Sequence, residues 1–221
     1  MPRTARGIVA GHCYHVLNRS NLRARIFHDS GDYAAFVALI AASRRRIPIA
    51  ILAACLMPNH VHLVLAPARD DDLARWAHWV FTSHVRWHHR KYSSCGRLWQ
   101  GRFKASVIQQ DEHLLTVLRY VERNALSASL VARAESWRWG SLNWRTRNDS
   151  PVSLSESPVP IPSNWVHYVN EPQSLTELAE VRMAVNRERP YGNTVWIANT
   201  AASLGFEYSI TPRGRPRKPK P

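Results

Sequence analysis

Apolar positions in the first 130 residues follow two spacings, one typical of strands and one typical of helices. Strand-length apolar runs are predicted at 11–18, 49–56, 60–65 and 104–109. Apolar residues at helical spacing predict helices over 32–46, 70–91 and 112–126. Pro48, the turn Met57-Pro58-Asn59 and Pro67 separate these segments, because proline and asparagine favour turns over regular structure.

The predicted order is therefore strand, helix, strand, strand, helix, strand, helix. The first six elements match the split βαβ–βαβ arrangement of a ferredoxin-like antiparallel sheet with helices on one face. The last helix is additional to that arrangement. We expect an α+β fold with this extra helix carrying functional residues.

The character of the chain changes after Val131, where tryptophan, proline and serine become frequent and no period is visible. We expect a first domain over 1–135 and an irregular, partly helical extension over 136–210. Helices in that extension are predicted over 173–187 and 194–204. The last residues, 211–221, are too polar and proline-rich to bury a core and are predicted to be a flexible basic tail.

Charge narrows the class of partner. The 221 residues carry a formal net charge of +14, and most of the basic residues are arginines. Such an excess indicates a nucleic-acid partner, since arginine is well suited to bind phosphate. A GC-rich genome could explain arginine in place of lysine, but it does not explain the net charge.

Several classes of protein fit this sequence poorly. No run of 18 apolar residues suggests a membrane span, and no apolar block follows the basic start, so we expect a cytoplasmic protein without a membrane partner. Three widely separated cysteines, at positions 13, 55 and 95, argue against a disulfide framework or a zinc knuckle.

The first candidate for chemistry is the triplet His60-Val61-His62 on a predicted strand. Side chains alternate along a strand, so both imidazoles point to one face and Val61 points to the other. Two neutral imidazoles so placed can chelate a divalent metal. The triplet alone is weak evidence, because ordinary structural histidines are more common.

The second candidate is the pair Tyr120 and Asn124 on the last predicted helix. Their i, i+4 spacing puts both on one face, away from the apolar stripe of Leu114, Leu118, Val121 and Ala125. A tyrosine there is, by itself, usually an amphipathic surface residue. Cleavage of a phosphodiester by a protein side chain needs an oxygen nucleophile and a cation. The tyrosine and the histidine pair could supply these two parts, so together they indicate a nuclease more specifically than either does alone.

Five segments in the correct order resemble the REP-associated tyrosine transposases, a branch of the single-tyrosine histidine–hydrophobe–histidine superfamily. The similar segments are Tyr14-His15-Val16-Leu17-Asn18-Arg19, Cys55 to Leu65 around the two histidines, Leu98-Trp99-Gln100-Gly101-Arg102-Phe103-Lys104, Tyr120-Val121-Glu122-Arg123-Asn124 and Pro212 to Lys218.

This resemblance implies a nuclease and strand transferase that acts on repetitive extragenic palindromic hairpins. It implies Mg²⁺ or Mn²⁺ held by His60 and His62, with Asn124 as third ligand. Tyr120 would attack single-stranded or hairpin DNA and form a 5′-phosphotyrosine. The protein would be a monomer or a homodimer. Two departures affect substrate detail: the branch usually follows its asparagine with proline and then with valine–arginine–alanine–glycine, whereas Asn124 is followed by Ala125-Leu126-Ser127-Ala128-Ser129.

Two other functions fit the same features. A domesticated DNA-binding protein could hold palindromic hairpins without cutting them. A metal-dependent hydrolase could act on RNA, with Tyr120 only structural. A covalent protein–DNA adduct that depends on Tyr120 would distinguish the transposase from both.

DNA contacts are predicted in two places. Arg97, Arg102 and Lys104 flank a turn and should touch phosphate, while Trp99 either stacks on a base or anchors the loop. In the tail, Arg213-Gly214-Arg215-Pro216-Arg217 resembles an AT-hook, which lays arginines into a narrow minor groove. The tail could instead fold back over its own site and inhibit it, or be a solvated end.

Overall fold

The computed structural model describes residues 8–211. Its strands are β1 (Cys13–Arg19), β2 (Ile49–Met57), β3 (His60–Pro67) and β4 (Lys104–Ile108). They form one antiparallel sheet in the order β2-β3-β1-β4. This confirms the predicted ferredoxin-like α+β arrangement, and each observed strand lies within two residues of its predicted bounds.

Eight α-helices accompany the sheet in the described part of the chain. They are α1 (Ser30–Ser43), α2 (Asp72–Tyr92), α3 (Glu112–Ser127), α4 (Ser141–Arg145), α5 (Trp165–Asn170), α6 (Leu175–Arg187), α7 (Thr194–Leu204) and α8 (Glu207–Ile210). Short 3-10 turns occur at Asn21–Arg23 and Ala134–Ser136. None of the described helices is both long enough and apolar enough to cross a bilayer.

Helix starts follow from capping side chains. The Asp29 side chain accepts from the backbone N–H of Asp32, and the Asp32 side chain accepts from the backbone N–H of Asp29. This reciprocal capping box starts α1. Asp111 accepts from the N–H of His113 at 2.9 Å and starts α3. These bonds satisfy backbone donors that a helix cannot pair internally, so they set where each helix begins.

The two faces of the sheet are covered by different helices. Side chains such as Tyr14, Val16 and Leu63 pack with α1 and α2, and Trp76 of α2 is fully buried among them. The opposite face, with residues such as Cys13 and Val64, is covered by α3 through its predicted apolar stripe. Strand alternation thus sorts successive residues into two apolar cores.

The region after residue 135 packs against both cores. Trp144, Val152 and Phe206 join the cluster under α1 and α2. Trp165 and Val181 join the cluster under α3. The segment without a sequence period contains only the Ala134–Ser136 turn and the short α4 before α5 begins. Its aromatic residues follow no helical or strand repeat because tertiary contacts, and not regular secondary structure, determine their positions.

Candidate active site

The predicted histidine pair lies at the start of the central strand β3. His60 pairs with Met57 across the tight turn to β2 and with Arg19 across to β1. His62 is 2% exposed and lies opposite Leu17. Both imidazoles point to the face that α3 covers, and their ring centroids are 5.0 Å apart at nearly right angles. The strand period therefore brings the two rings together as expected.

Helix α3 brings Tyr120 onto these histidines. The phenol ring is half-buried and meets the ring of His62 edge-on, with 5.6 Å between centroids. Asn124 is half-buried one helical turn further along, and its side chain makes no hydrogen bond within residues 8–211. On the face predicted from the i, i+4 spacing, Tyr120 is turned toward the sheet histidines.

A third histidine joins the cluster, and sequence reasoning assigned it no role. His15 on β1 is 2% exposed, and its Nε2 is 2.8 Å from Nδ1 of His62. Its ring also contacts Tyr120, with centroids 5.7 Å apart. The only signal in the sequence was its position in the N-terminal segment; the strand register that places it beside His62 cannot be read from local spacing.

Burial keeps all three imidazoles neutral. Desolvation lowers the pKa of His15 to about 3 and, together with the nearby Arg19 guanidinium, lowers the pKa of His60 to about 4. The pKa of His62 is held well below its usual value by burial and by the neighbouring His15, His60 and Arg19. Neutral imidazoles offer lone pairs, which is the form that binds a metal.

The turn before β3 sets the proton position on His60. Asn59 donates from its amide nitrogen to the carbonyl of Arg23 at 2.9 Å, which leaves its Oδ1 facing Nδ1 of His60 at 2.7 Å. An amide oxygen can only accept, so Nδ1 of His60 carries the hydrogen. Nε2 of His60 is then the nitrogen with a free lone pair.

Another group of potential metal ligands lies at the start of α3. The ligating atoms of Asp111, Glu112 and His113 all lie within 4.8 Å of one another, the only such group of three or more within residues 8–211. These are not the predicted ligands. Nδ1 of His113 is already hydrogen-bonded to Asp111 at 2.7 Å, and Asp111 also caps the helix, so the group has a structural explanation.

Basic side chains gather around the loop that precedes β4. A cavity of about 790 Å³ lies between α2 and this loop, and its lining includes Arg97, Trp99 and Arg102. A smaller cavity of about 230 Å³ is lined by Arg19, Arg102 and Lys104, together with residues of the loop and α6. The guanidinium of Arg19 was not singled out from the sequence, and its Nε is buried without a hydrogen-bond partner.

Trp99 is 7% exposed and belongs to the core under α2. Its ring meets Phe81 at 5.1 Å and His84 at 5.4 Å between centroids. Those contacts support the alternative in which Trp99 anchors the loop. Arg97 and Arg102 are exposed on the same loop, so the buried Trp99 holds in place a loop that presents two cations to solvent.

The tail arginines Arg213, Arg215 and Arg217 lie outside the described residues. Lys104 does lie within them, and its ammonium donates to the carbonyl of Asn186 in α6 at 2.9 Å. The predicted phosphate contacts in the folded part are therefore Arg97, Arg102 and Lys104, and Arg19 adds a fourth cation beside the histidine face.

Comparisons with known proteins give the family and the fold. Residues 8–124 match the family described as "Transposase IS200 like", and they make up more than half of the chain. A Haemophilus influenzae protein named "Putative REP-associated tyrosine transposase" is 27% identical over 107 residues, which cover 43% of this chain. The chain spans about 60% of the length of that relative.

A solved structure of a REP-associated tyrosine transposase bound to a REP hairpin superposes with a TM-score of 0.53 at 15% identity. The match covers 79% of this chain and 93% of that one. At this identity it shows the shared fold. The resemblance inferred from the sequence motifs is thus confirmed at the level of family and fold.

Proposed function

The chain belongs to the IS200-like transposase family, and from this premise we propose that it cuts and rejoins single-stranded DNA at palindromic hairpins through a bond between Tyr120 and a DNA 5′-phosphate. The observation that carries the proposal is the placement of Tyr120 edge-on against His62, on the face that holds His60. The hairpin substrate is taken from the related structure, which is bound to a REP hairpin.

The reaction exchanges one phosphodiester for another. The phenol of Tyr120 loses its proton to solvent and its oxygen attacks the phosphorus. The bond from phosphorus to the 3′ oxygen breaks, and that oxygen takes a proton from water to become a free 3′-hydroxyl. The tyrosine keeps the 5′-phosphate as a diester, so a 3′-hydroxyl can later reverse the step and join two DNA ends.

The chemistry of the histidine face fits a divalent metal. His60 and His62 are neutral, share one face and lie with ring centroids 5.0 Å apart, so they would hold Mg²⁺ or Mn²⁺, with Asn124 supplying an amide oxygen. The bound metal would neutralise negative charge on the phosphate. Replacing His60 or His62 with Ala, or adding EDTA, should abolish cutting and leave much of the DNA binding.

The cations around the loop before β4 suit the DNA backbone. Arg97 and Arg102 are exposed on a loop anchored by Trp99, and Arg19 lies at the edge of the histidine face. One guanidinium group can donate two parallel hydrogen bonds to a phosphate, so these residues would position the strand that reaches Tyr120.

A covalent trapping experiment tests the proposal. A hairpin DNA labelled at its 3′ end, incubated with protein and Mn²⁺, should give a labelled protein band on a denaturing gel. Tyr120→Phe removes only the nucleophilic hydroxyl and should abolish the band without weakening hairpin binding. Tyr168→Phe is the matched control, since the Tyr168 ring packs against Arg119 and Trp165, and it should leave the band intact.

Other outcomes would identify a different function. Hairpin binding without any adduct, in the unaltered protein, would indicate a DNA-binding protein that does not cut. Hydrolysis of RNA that persists in Tyr120→Phe would indicate a metal-dependent hydrolase. Either result rejects the transposase chemistry.

A further inference from the structure

His15 is held against His62 by the register of β1 on β3. The residue directly opposite His15 is Val64, and the residue opposite His62 is Leu17, so the two histidines are diagonal neighbours on one face. Diagonal neighbours are within reach of long side chains. The result is a hydrogen bond of 2.8 Å between Nε2 of His15 and Nδ1 of His62, buried from solvent.

One of these two nitrogens must donate and the other must accept, because a single hydrogen lies between two ring nitrogens 2.8 Å apart. If His15 donates, Nδ1 of His62 is the acceptor and the hydrogen of His62 sits on Nε2. If His62 donates, its Nε2 keeps a lone pair. Only the second arrangement leaves His62 able to bind a metal through the nitrogen that does not face His15.

The neighbouring histidine already shows the second arrangement. Nδ1 of His60 faces the amide oxygen of Asn59 at 2.7 Å and must donate to it, which leaves Nε2 of His60 unprotonated. His60 and His62 therefore both use Nδ1 for a hydrogen bond to the protein. Ligand histidines in metal sites commonly donate their second nitrogen to such an outer partner, which sets the tautomer and the ring orientation.

His15 is not placed as a third ligand of the same ion. Within residues 8–211, the potential ligand atoms of His15, His60 and His62 do not all come within 4.8 Å of one another. The nitrogen that His15 turns toward the site is occupied by His62. His15 therefore contacts a proposed metal ligand, His62, and not the position between His60 and His62 where the metal would lie.

We infer that His15 is a positioning residue whose Nε2 accepts the Nδ1–H of His62, so that Nε2 of His62 is kept unprotonated and aimed for metal binding. This role rests on the proposed function, because it presupposes a metal at His60 and His62. His15 itself then carries its hydrogen on Nδ1.

Two substitutions separate this role from simple packing. His15→Gln keeps an amide oxygen near the position of Nε2, whereas His15→Leu fills the space without an acceptor. Val64→Ala, directly opposite His15 on the same face, is the control for a packing defect. The probe is Mn²⁺ alone, with binding followed by the electron paramagnetic resonance signal of the free ion, and thermal unfolding in EDTA reports whether each variant folds.

His15→Leu should weaken Mn²⁺ binding by about 10- to 100-fold, the usual effect of removing an outer partner of a metal ligand. His15→Gln should stay within a few-fold of the unaltered protein, and Val64→Ala should bind Mn²⁺ normally. With ¹⁵N-labelled histidine and Mg²⁺ bound, the ring nitrogens of His62 should show the hydrogen on Nδ1.

The outcomes distinguish failure of this inference from failure of the proposed function. If His62→Ala abolishes Mn²⁺ binding but His15→Leu leaves it unchanged, His15 has no positioning role and the metal site stands. A hydrogen on Nε2 of His62 would overturn the inference in the same way. If the unaltered protein binds Mn²⁺ no better than His60→Ala and His62→Ala, both the inference and the metal-dependent chemistry are wrong.

Discussion

Arg19 illustrates how a single side chain acquires a role from its neighbours. It lies directly opposite His60 on the face covered by α3, and its charge adds to burial in lowering the pKa of both His60 and His62. Its Nε is buried and unpartnered, and the side chain lines the same small cavity as Arg102 and Lys104. A buried donor without a partner is costly, so a phosphate oxygen at this position would stabilise it.

Arg19→Ala should therefore slow hairpin cleavage by about 100- to 1,000-fold in a single-turnover assay, the range found when one donor to a developing negative charge is removed. Binding of the uncut hairpin should fall much less. Arg19→Lys should recover part of the rate, since it keeps the charge but not the planar fork. Arg90→Ala removes an equal charge from an exposed site on α2 and should leave the rate unchanged. A normal rate in Arg19→Ala would remove Arg19 from the reaction.

Helix α3 presents two different polar faces, one to the histidines and one to the extension. Arg119 donates to the carbonyls of Glu171 and Pro172, and Arg123 donates to those of Val169 and Asn170. These carbonyls lie at the end of α5, where cations are favoured. The helix that carries Tyr120 is thus attached on its far side to residues more than forty positions later.

Glu122 is the buried centre of that attachment. Its carboxylate is fully buried and accepts from Ser141 Oγ at 2.6 Å, Arg145 Nε at 2.8 Å and Trp165 Nε1 at 2.6 Å. Arg145 Nε and Trp165 Nε1 can only donate and the Ser141 hydroxyl donates here as well, so a carboxylate satisfies all three. The bond set joins α3 to both α4 and α5.

Glu122→Ala should lower the free energy of unfolding by about 3–5 kcal/mol, because it leaves the buried Trp165 Nε1 without an acceptor and removes the carboxylate that pairs with the half-buried Arg145 guanidinium. Urea denaturation followed by tryptophan fluorescence would measure the decrease. Glu112→Ala, exposed in the first turn of the same helix, should cost less than about 1 kcal/mol. Equal stability of the two variants would show that the buried carboxylate does not hold the helix.

The net charge of +14 is a property of the whole chain, and five of its cations lie in the last residues: Arg213, Arg215, Arg217, Lys218 and Lys220. Cations that neutralise phosphates release counterions, which makes binding dependent on salt. The tail residues lie beyond the described part, so their role stays a prediction from the sequence.

Deletion of residues 211–221 should weaken hairpin binding and flatten its salt dependence, by about 0.7 to 0.9 in the logarithmic slope for each phosphate that the tail neutralises. Fluorescence anisotropy at several salt concentrations measures both quantities. Replacing Arg213, Arg215 and Arg217 with Ala in the full-length chain separates charge from length. Faster cleavage with unchanged affinity would instead identify an inhibitory tail, and no change in either would identify a solvated end.

The sequence by itself determined the elements and the residues that share a face within each one. A strand repeats every two residues and a helix every 3.6, so spacing alone pairs His60 with His62 and Tyr120 with Asn124. Capping at Asp111 and the turn at Pro58-Asn59 were also local, because they involve neighbours in the chain. These features depend only on backbone geometry and short-range hydrogen bonds.

The tertiary structure alone decided which distant residues meet. His15 and Arg19 reach the histidine face through the register of β1 against β3, a match between segments more than forty residues apart. Glu122 found its partners in α4 and α5, which the sequence showed only as an aperiodic stretch. Trp99 is buried because α1 and α2 cover it. Local spacing cannot specify such contacts, since register and packing are selected by the fit of whole apolar surfaces during folding.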